Sequence, residues 1–332
     1  MLSYLPAIFK TEGRNTMLEI FLATLNPLMM LFICMIIGFI ARKTKLIPDS
    51  SSKTISTLEN FVFTPALVIF NFMNYCTIDS IKEESAIVHY GLGIIAVAFI
   101  IAKLLAPLLS KKGTPERGVF EYSLTFGNFG FFGNAVVPAI LGAADPRILY
   151  KYLLFCIPIN ILCNSWGFLV LTPSDKTRNP LKKLINPILI SVLIGAFLGL
   201  INAKEFMPQF ISDTLSTLKA CMAPLAMVLA GFVIGGFNIK ELLKNKKVYI
   251  TTALRLIVLP SLFVAFLIII NAPKDILLLA FFAFSSPIGL NTIVFPAAYG
   301  GDTRLGGSMA LVSHTLCIIT IPILFAILQL FI

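Results

Sequence analysis

The sequence predicts an all-α polytopic membrane protein of ten transmembrane helices, built as a 5+5 inverted repeat whose fourth and ninth spans are broken and cross. Three observations predict it. The 332 residues are 58% hydrophobic and 13% charged, too apolar for a soluble globular domain. Landmark residues recur at an offset near 160. Two apolar runs carry helix-weakening residues in their middles, Phe126-Gly-Asn-Phe-Gly-Phe-Phe-Gly-Asn134 and Ser285-Ser-Pro-Ile-Gly-Leu-Asn-Thr292.

Apolar runs able to cross about 30 Å of hydrocarbon, or nearly so with tilt, fall at 20–41, 54–73, 86–109, 118–141, 148–171, 186–203, 208–236, 248–271, 275–299 and 305–331. One alternate set of connections holds Arg42, Lys43, Lys45, Lys53, Lys111, Lys112, Arg117, Lys176, Arg178, Lys182, Lys183, Lys240, Lys244, Lys246, Lys247 and Arg304. The other holds Lys10, Arg14, Lys82, Arg147, Lys151, Lys204 and Lys274. Basic residues mark the cytoplasmic side, so both termini are expected outside a plasma (cell inner) membrane. The net charge of +10 is thus spent on orientation in the bilayer, and nucleic acid is not an expected partner. Cys34, Cys156, Cys163 and Cys317 lie in spans without metal-ligand spacing and read as small buried hydrophobes. Residues 1–16 lack a signal peptide's apolar core and cleavage site, and Met17 is a candidate original start.

Leu25-Asn26-Pro27-Leu28 opens the first span and Ile185-Asn186-Pro187-Ile188 the sixth, 160 residues on. Pro65 and Pro224 are 159 apart, as are Asn128 and Pro287, and Ile157-Pro158-Ile159 lies 164 before Ile321-Pro322-Ile323. Landmarks in one order at nearly one offset indicate two structural units. Five spans per unit is odd, so the second enters the membrane from the opposite side. The expected divisions are an extension at 1–16, a first repeat at 17–172, a basic cytoplasmic linker at 173–185 and a second repeat at 186–332.

These residues resemble the auxin efflux carrier family of membrane transporters, which includes bacterial malate-permease-like proteins and plant PIN-type carriers. In span 4, Asn128, Gly130, Phe131 and Gly133 match a pattern similar to Asn-x-Gly-Phe-x-Gly-x-Pro, with Ala135 where proline is expected. In span 9, Pro287 to Phe295 followed by Tyr299-Gly-Gly-Asp302 is similar to the family's proline-centred crossover and its close. The resemblance covers nearly the whole chain from Met17. It implies a scaffold domain, a transport domain carrying crossed broken helices, and carriage of small organic anions, typically carboxylates such as malate or an auxin-like acid. The alternatives are a cation-coupled carrier of bile-acid-like amphipathic anions, or a channel or receptor. A second copy meeting through the scaffold domain is the expected protein partner.

A carboxylate near the bilayer centre needs donors to replace water, and a half-helix starting there offers unpaired N–H groups and a positive dipole end. The expected substrate contacts are Gly127, Asn128, Phe129, Gly130, Gly133 and Asn134 from span 4, and Ser286, Pro287, Gly289, Asn291 and Thr292 from span 9. Close helix packing is the other reading for the glycines, and helix-bridging amides for the asparagines. Among ionisable residues, Arg255 lies about 12 Å beyond Lys247 at 1.5 Å per residue, and either attracts the anion or snorkels. His314 is near the bilayer centre, either a proton carrier or a hydrogen-bonded structural histidine. Glu59 and Glu121 lie near cytoplasmic helix ends and are expected to pair there. Lys219 is expected to snorkel, and Asp302 to cap the last helix. No Walker A run occurs, and two histidines in separate spans give no catalytic cluster, so neither an enzyme, a cofactor nor a bound metal is expected.

Overall fold

The computed structural model describes residues 16–172, 186–298 and 302–332. The extension at 1–15, the basic linker at 173–185 and Tyr299-Gly300-Gly301 of the expected closing motif lie outside the described residues. Among the described residues the regular elements are all helices. In order they form α1 (Met17–Lys43), α2 (Ser51–Tyr75), α3 (Ile78–Leu109), α4 (Pro115–Thr125), α5 (Phe129–Leu141) and α6 (Ile148–Leu171). There follow α7 (Pro187–Leu200), α8 (Gln209–Gly235), α9 (Lys246–Ile269), α10 (Lys274–Ser285), α11 (Asn291–Ala298) and α12 (Arg304–Leu328).

Among the described residues, α1, α2, α3, α6, α8, α9 and α12 are long and apolar enough to cross a membrane, and α5 and α7 are shorter apolar helices. The run expected as span 4 is two helices, α4 and α5, and the run expected as span 9 is α10 and α11. Their links are short, Phe126–Asn128 and Ser286–Leu290.

Local chemistry accounts for most boundaries. Thr16 and Glu19 form a reciprocal capping box at α1, and Thr77 with Ser80 forms another at α3. The α3 cap places the helix start at Ile78, eight residues before the apolar run at 86. Asn186 caps α7 through Leu189 N–H at 3.0 Å, with Pro187 in the first turn. The matching Asn26-Pro27 does not open its span: α1 starts at Met17 and Pro27 lies inside it. Two further prolines widen the turn before them. Thr64 N–H bonds Glu59 O and Leu259 N–H bonds Leu254 O, five residues back, so a π turn precedes Pro65 and Pro260. The wide turn relieves the clash a proline ring makes with the preceding turn.

The helices pack as two groups. In the first, α1 lies along α8, and α2 lies on α7 and α8. In the second, α3 packs on α4 and α6, α9 on α10, and α12 on α9, while α1 against α12 joins the groups. At the α1–α8 crossing, the space where Gly38 would carry a Cβ holds the Val228 carbonyl, and that of Gly231 holds the Met35 carbonyl. Backbone meets backbone there, which only small residues allow. Large apolar side chains such as Leu104, Leu108, Leu193 and Phe197 are exposed, as a lipid-facing surface requires.

Charges gather at helix ends. Glu121 pairs with Lys103 at 2.5 Å and Arg117 at 2.8 Å, tying α3 to α4. At the other end Arg147 meets Glu84 at 2.6 Å, and Lys151 meets Asp145 at 2.9 Å and Asp275 at 2.5 Å, tying α3, α6 and α10. Lys219 lies over the Phe70 ring, and Asp302 accepts the Arg304 N–H at 2.9 Å at the start of α12.

Replacing Gly231 or Gly38 with valine should therefore force α1 from α8 and destabilise the protein by about 1–3 kcal/mol. Thermal unfolding of detergent-solubilised protein measures this. Gly93→Val is the control, since an added Cβ at Gly93 meets nothing within 4 Å.

Candidate functional site

The two interruptions meet. Gly127 faces Ile288 in an antiparallel backbone bridge, and Asn128 N–H donates to Pro287 O at 2.6 Å. Pro287 brings no N–H of its own and disfavours helix at Ser286. Gly127 is required for closeness: an added Cβ would fall on the Arg255 guanidinium and the Ser286 carbonyl. Ser313 of α12 completes the crossing by accepting Ile288 N–H at 2.9 Å.

Each interruption leaves helix-terminal carbonyls without intrahelical donors. Arg255, 1% exposed on the π turn of α9, supplies them at both. Its Nη1 donates to Leu124 O at 3.4 Å and Thr125 O at 3.3 Å at the end of α4, and its Nη2 to Ala283 O at 3.1 Å near the end of α10. The guanidinium also lies 5.0 Å from the Phe284 ring centroid. A buried cation thus faces two negative dipole ends. The snorkelling expectation for Arg255 is corrected: its charge is anchored by the crossing and does not reach an interface.

Past the interruptions, α5 and α11 begin. Asn128 O accepts from Phe132 and Gly133 N–H at 3.0 Å each, while Gly289 O accepts from Thr292 N–H at 3.2 Å and Thr292 Oγ1 at 2.8 Å. The N–H groups ahead of these first bonds have no carbonyl in a preceding turn. Beside the start of α5, a narrow cleft between α5, α6 and α7 is lined by Phe129, Gly130, Asn134, Cys156, Asn160 and Val192, among others. A Cβ added at Gly130 would meet nothing within 4 Å. A second cleft, of about 720 Å³, lies between α1, α2, α8 and α11, and its polar lining includes Arg42, Lys53, Ser56 and Asn60.

Of the expected substrate contacts, Phe129, Gly130 and Asn134 border the narrow cleft. Gly127, Asn128, Ser286, Pro287 and Gly289 form the crossing backbone or its immediate flanks. Gly133 lies under the Tyr152 hydroxyl, which donates to Phe129 O at 3.1 Å. Asn291 Nδ2 donates to the Tyr122 hydroxyl at 3.0 Å, which is 3.0 Å from Cys163 Sγ. Thr292 is fully buried in the first turn of α11. The Asn128 side chain does not face open space: it is 4% exposed and its Nδ2 lies 3.2 Å from His314 Nε2. His314 Nδ1 is 2.8 Å from Ala310 O. A carbonyl only accepts, so Nδ1 carries the ring proton and Nε2 accepts from Asn128.

Sequence reasoning missed Asn160, Tyr122, Tyr152 and Ser313. Asn160 had a signal, since it directly follows the repeated Ile157-Pro158-Ile159. Its Oδ1 accepts from Asn164 at 2.9 Å, leaving Nδ2 as its available donor. Glu59 corrects another expectation. Its carboxyl group is fully buried and neither oxygen has a hydrogen-bond partner among the described residues, unlike Glu121 with its two cations.

The family model described as membrane transport protein matches residues 23–180 and 172–325. No curated protein matches the chain.

Arg255→Gln should destabilise the protein by roughly 1–3 kcal/mol for each buried carbonyl left without a donor, read as a fall in the unfolding midpoint. Arg255→Lys should recover only part, because an ammonium lacks the planar fork that reaches two helices. A double-mutant cycle of Asn128→Ala and His314→Ala should return a coupling of about 0.5–1.5 kcal/mol in stability. Additive effects would show that the two side chains are independent.

Proposed function

Because the chain belongs to the membrane transport protein family, that of the auxin efflux carriers, we propose that it is a secondary transporter of a small organic anion, a carboxylate such as malate or an auxin-like acid, working by alternating access. The observation that carries this reading is the polarity of the crossing. Arg255 donates to the carbonyl ends of α4 and α10, while the first N–H groups of α5 and α11 have no carbonyl in a preceding turn to accept them. Free donors and a positive dipole end beside a cleft favour an anion. Asn134 and Asn160 add side-chain amides there, and the cleft's described lining includes no acidic residue to repel one.

In this reading α1 to α6 and α7 to α12 are the two inverted units of five spans each, counting each interrupted pair as one. The group of α1, α2, α7 and α8 is the scaffold, through which a second copy would associate, and the other group moves against it. The excess of basic residues on one side supports a topology with both termini outside. The wide cleft with Arg42 and Lys53 then opens toward the cytoplasm, and its charge draws anions in.

Proteoliposomes offered labelled malate, succinate, indole-3-acetate and lysine should take up at least one carboxylate with saturation, and should not take up lysine. Flux that rises without saturating would move the reading to a channel. Gly130→Leu has room to fold, so it should keep the wild-type unfolding midpoint while cutting carboxylate uptake by about tenfold or more, equivalent to roughly 1.4 kcal/mol.

A further inference from the structure

We propose that Glu59 is a proton-binding site inside the membrane, protonated in the state described and able to release its proton into the wide cleft beside α2. Glu59 opens the π turn that Pro65 forces on α2. Its side chain is fully buried, and both carboxyl oxygens lack a hydrogen-bond partner among the described residues. Thr64 Oγ1, at the end of the same wide turn, is also buried without one. An ionised carboxylate in such a place has no donor to offset its desolvation, which costs several kcal/mol. The neutral acid fits where the anion does not.

Among the described residues no cation is placed to change this. The helices packed on the turn are α8 and α7. Their ionisable side chains are Asp213, Lys219 and Cys221 on α8, with none on α7. Lys219 sits over Phe70, eleven residues along α2, and Asp213 accepts from Gln209 near the start of α8. On α2 itself, Lys53 lines the wide cleft and Tyr75 is at the far end. Arg42 of α1 is paired with Asp49 at 2.8 Å.

The route for the proton is local. Ser56 and Asn60 flank Glu59 in the helix, hydrogen-bond each other at 3.3 Å, and line the wide cleft. Movement of α2 against α8 that lets cleft water past these two side chains would let the carboxylic acid lose its proton to that water. If the chain carries anions as proposed above, this proton is one that the transport cycle can take up and release; the site itself rests only on the geometry of α2. π turns in membrane helices often mark such functional positions.

Infrared difference spectra of the full chain in lipid nanodiscs, recorded between acidic and alkaline pH, test the proposal without any substrate. The wild type should lose a protonated-carboxyl stretch as pH rises; Glu59→Gln should lack that band, and Glu59→Asp should displace it. A band unchanged by both substitutions, or no such band in the wild type, overturns the proposal. Malate counterflow at equal pH on both sides, measured in the same preparations, separates the two readings. Its absence from the wild type counts against malate as substrate and leaves the spectra to decide Glu59. Where counterflow occurs, Glu59→Gln should keep it within about twofold while losing acceleration by an imposed pH gradient.

Discussion

The contact on which the crossing depends is one guanidinium serving two helix ends. A helix that stops inside an apolar protein strands its last carbonyls away from water. Two such helices stop here, side by side, and Arg255 reaches Leu124, Thr125 and Ala283 at once. With the short backbone pairing of Gly127 and Asn128 to Pro287 and Ile288, it makes the interruption tolerable. The same arrangement is asymmetric. It satisfies carbonyl ends and leaves amide ends, so the polarity of the site follows from the way its scaffold is stabilised.

Around the crossing, several polar side chains pair with one another. Asn128 and His314 complete each other, as do Asn291 and Tyr122, and Ser313 holds Ile288. Ion pairs stand further out, where Glu121 and Glu84 bind α3 to its neighbours at its two ends and Lys151 ties α6 to α10. These pairs are partly exposed and set register more than stability. Against this background Glu59 stands apart, since every other buried carboxylate described has a cation beside it. The closest helix packing lies in the other group, where Gly38 and Gly231 bring the α1 and α8 backbones together. That contact involves no residue of the crossing, so the two groups are each held from within and touch chiefly through α1 and α12.

Several features were legible in the sequence for stated physical reasons. Glycine and proline in apolar runs mark interruptions because they cannot hold a helix in lipid without help, and both interruptions fall inside the segments so marked. The Asn186-Pro187 start follows from capping chemistry alone. Its counterpart at Asn26-Pro27 misled, because a proline within a long helix looks the same in sequence as one at its start. Glu59 and Glu121 look alike too, each near a helix end with basic residues not far away in the chain. What separates them is rotation: Glu121 turns toward Lys103 and Arg117, and Glu59 turns inward on a widened turn.

Hydropathy, charge bias and breaker residues are properties of the chain itself, so the sequence alone determined that this protein is helical, lies in a membrane and is interrupted at two places. Which groups those interruptions use was decided only by tertiary structure. Arg255 is more than a hundred residues from Leu124, and Asn128 is 186 from His314. Neither spacing leaves a periodic trace. A buried hydrogen bond between distant helices is set by how the helices are packed, and packing assigns one amide to a histidine, another to a cleft, and one carboxyl group to no partner among the described residues.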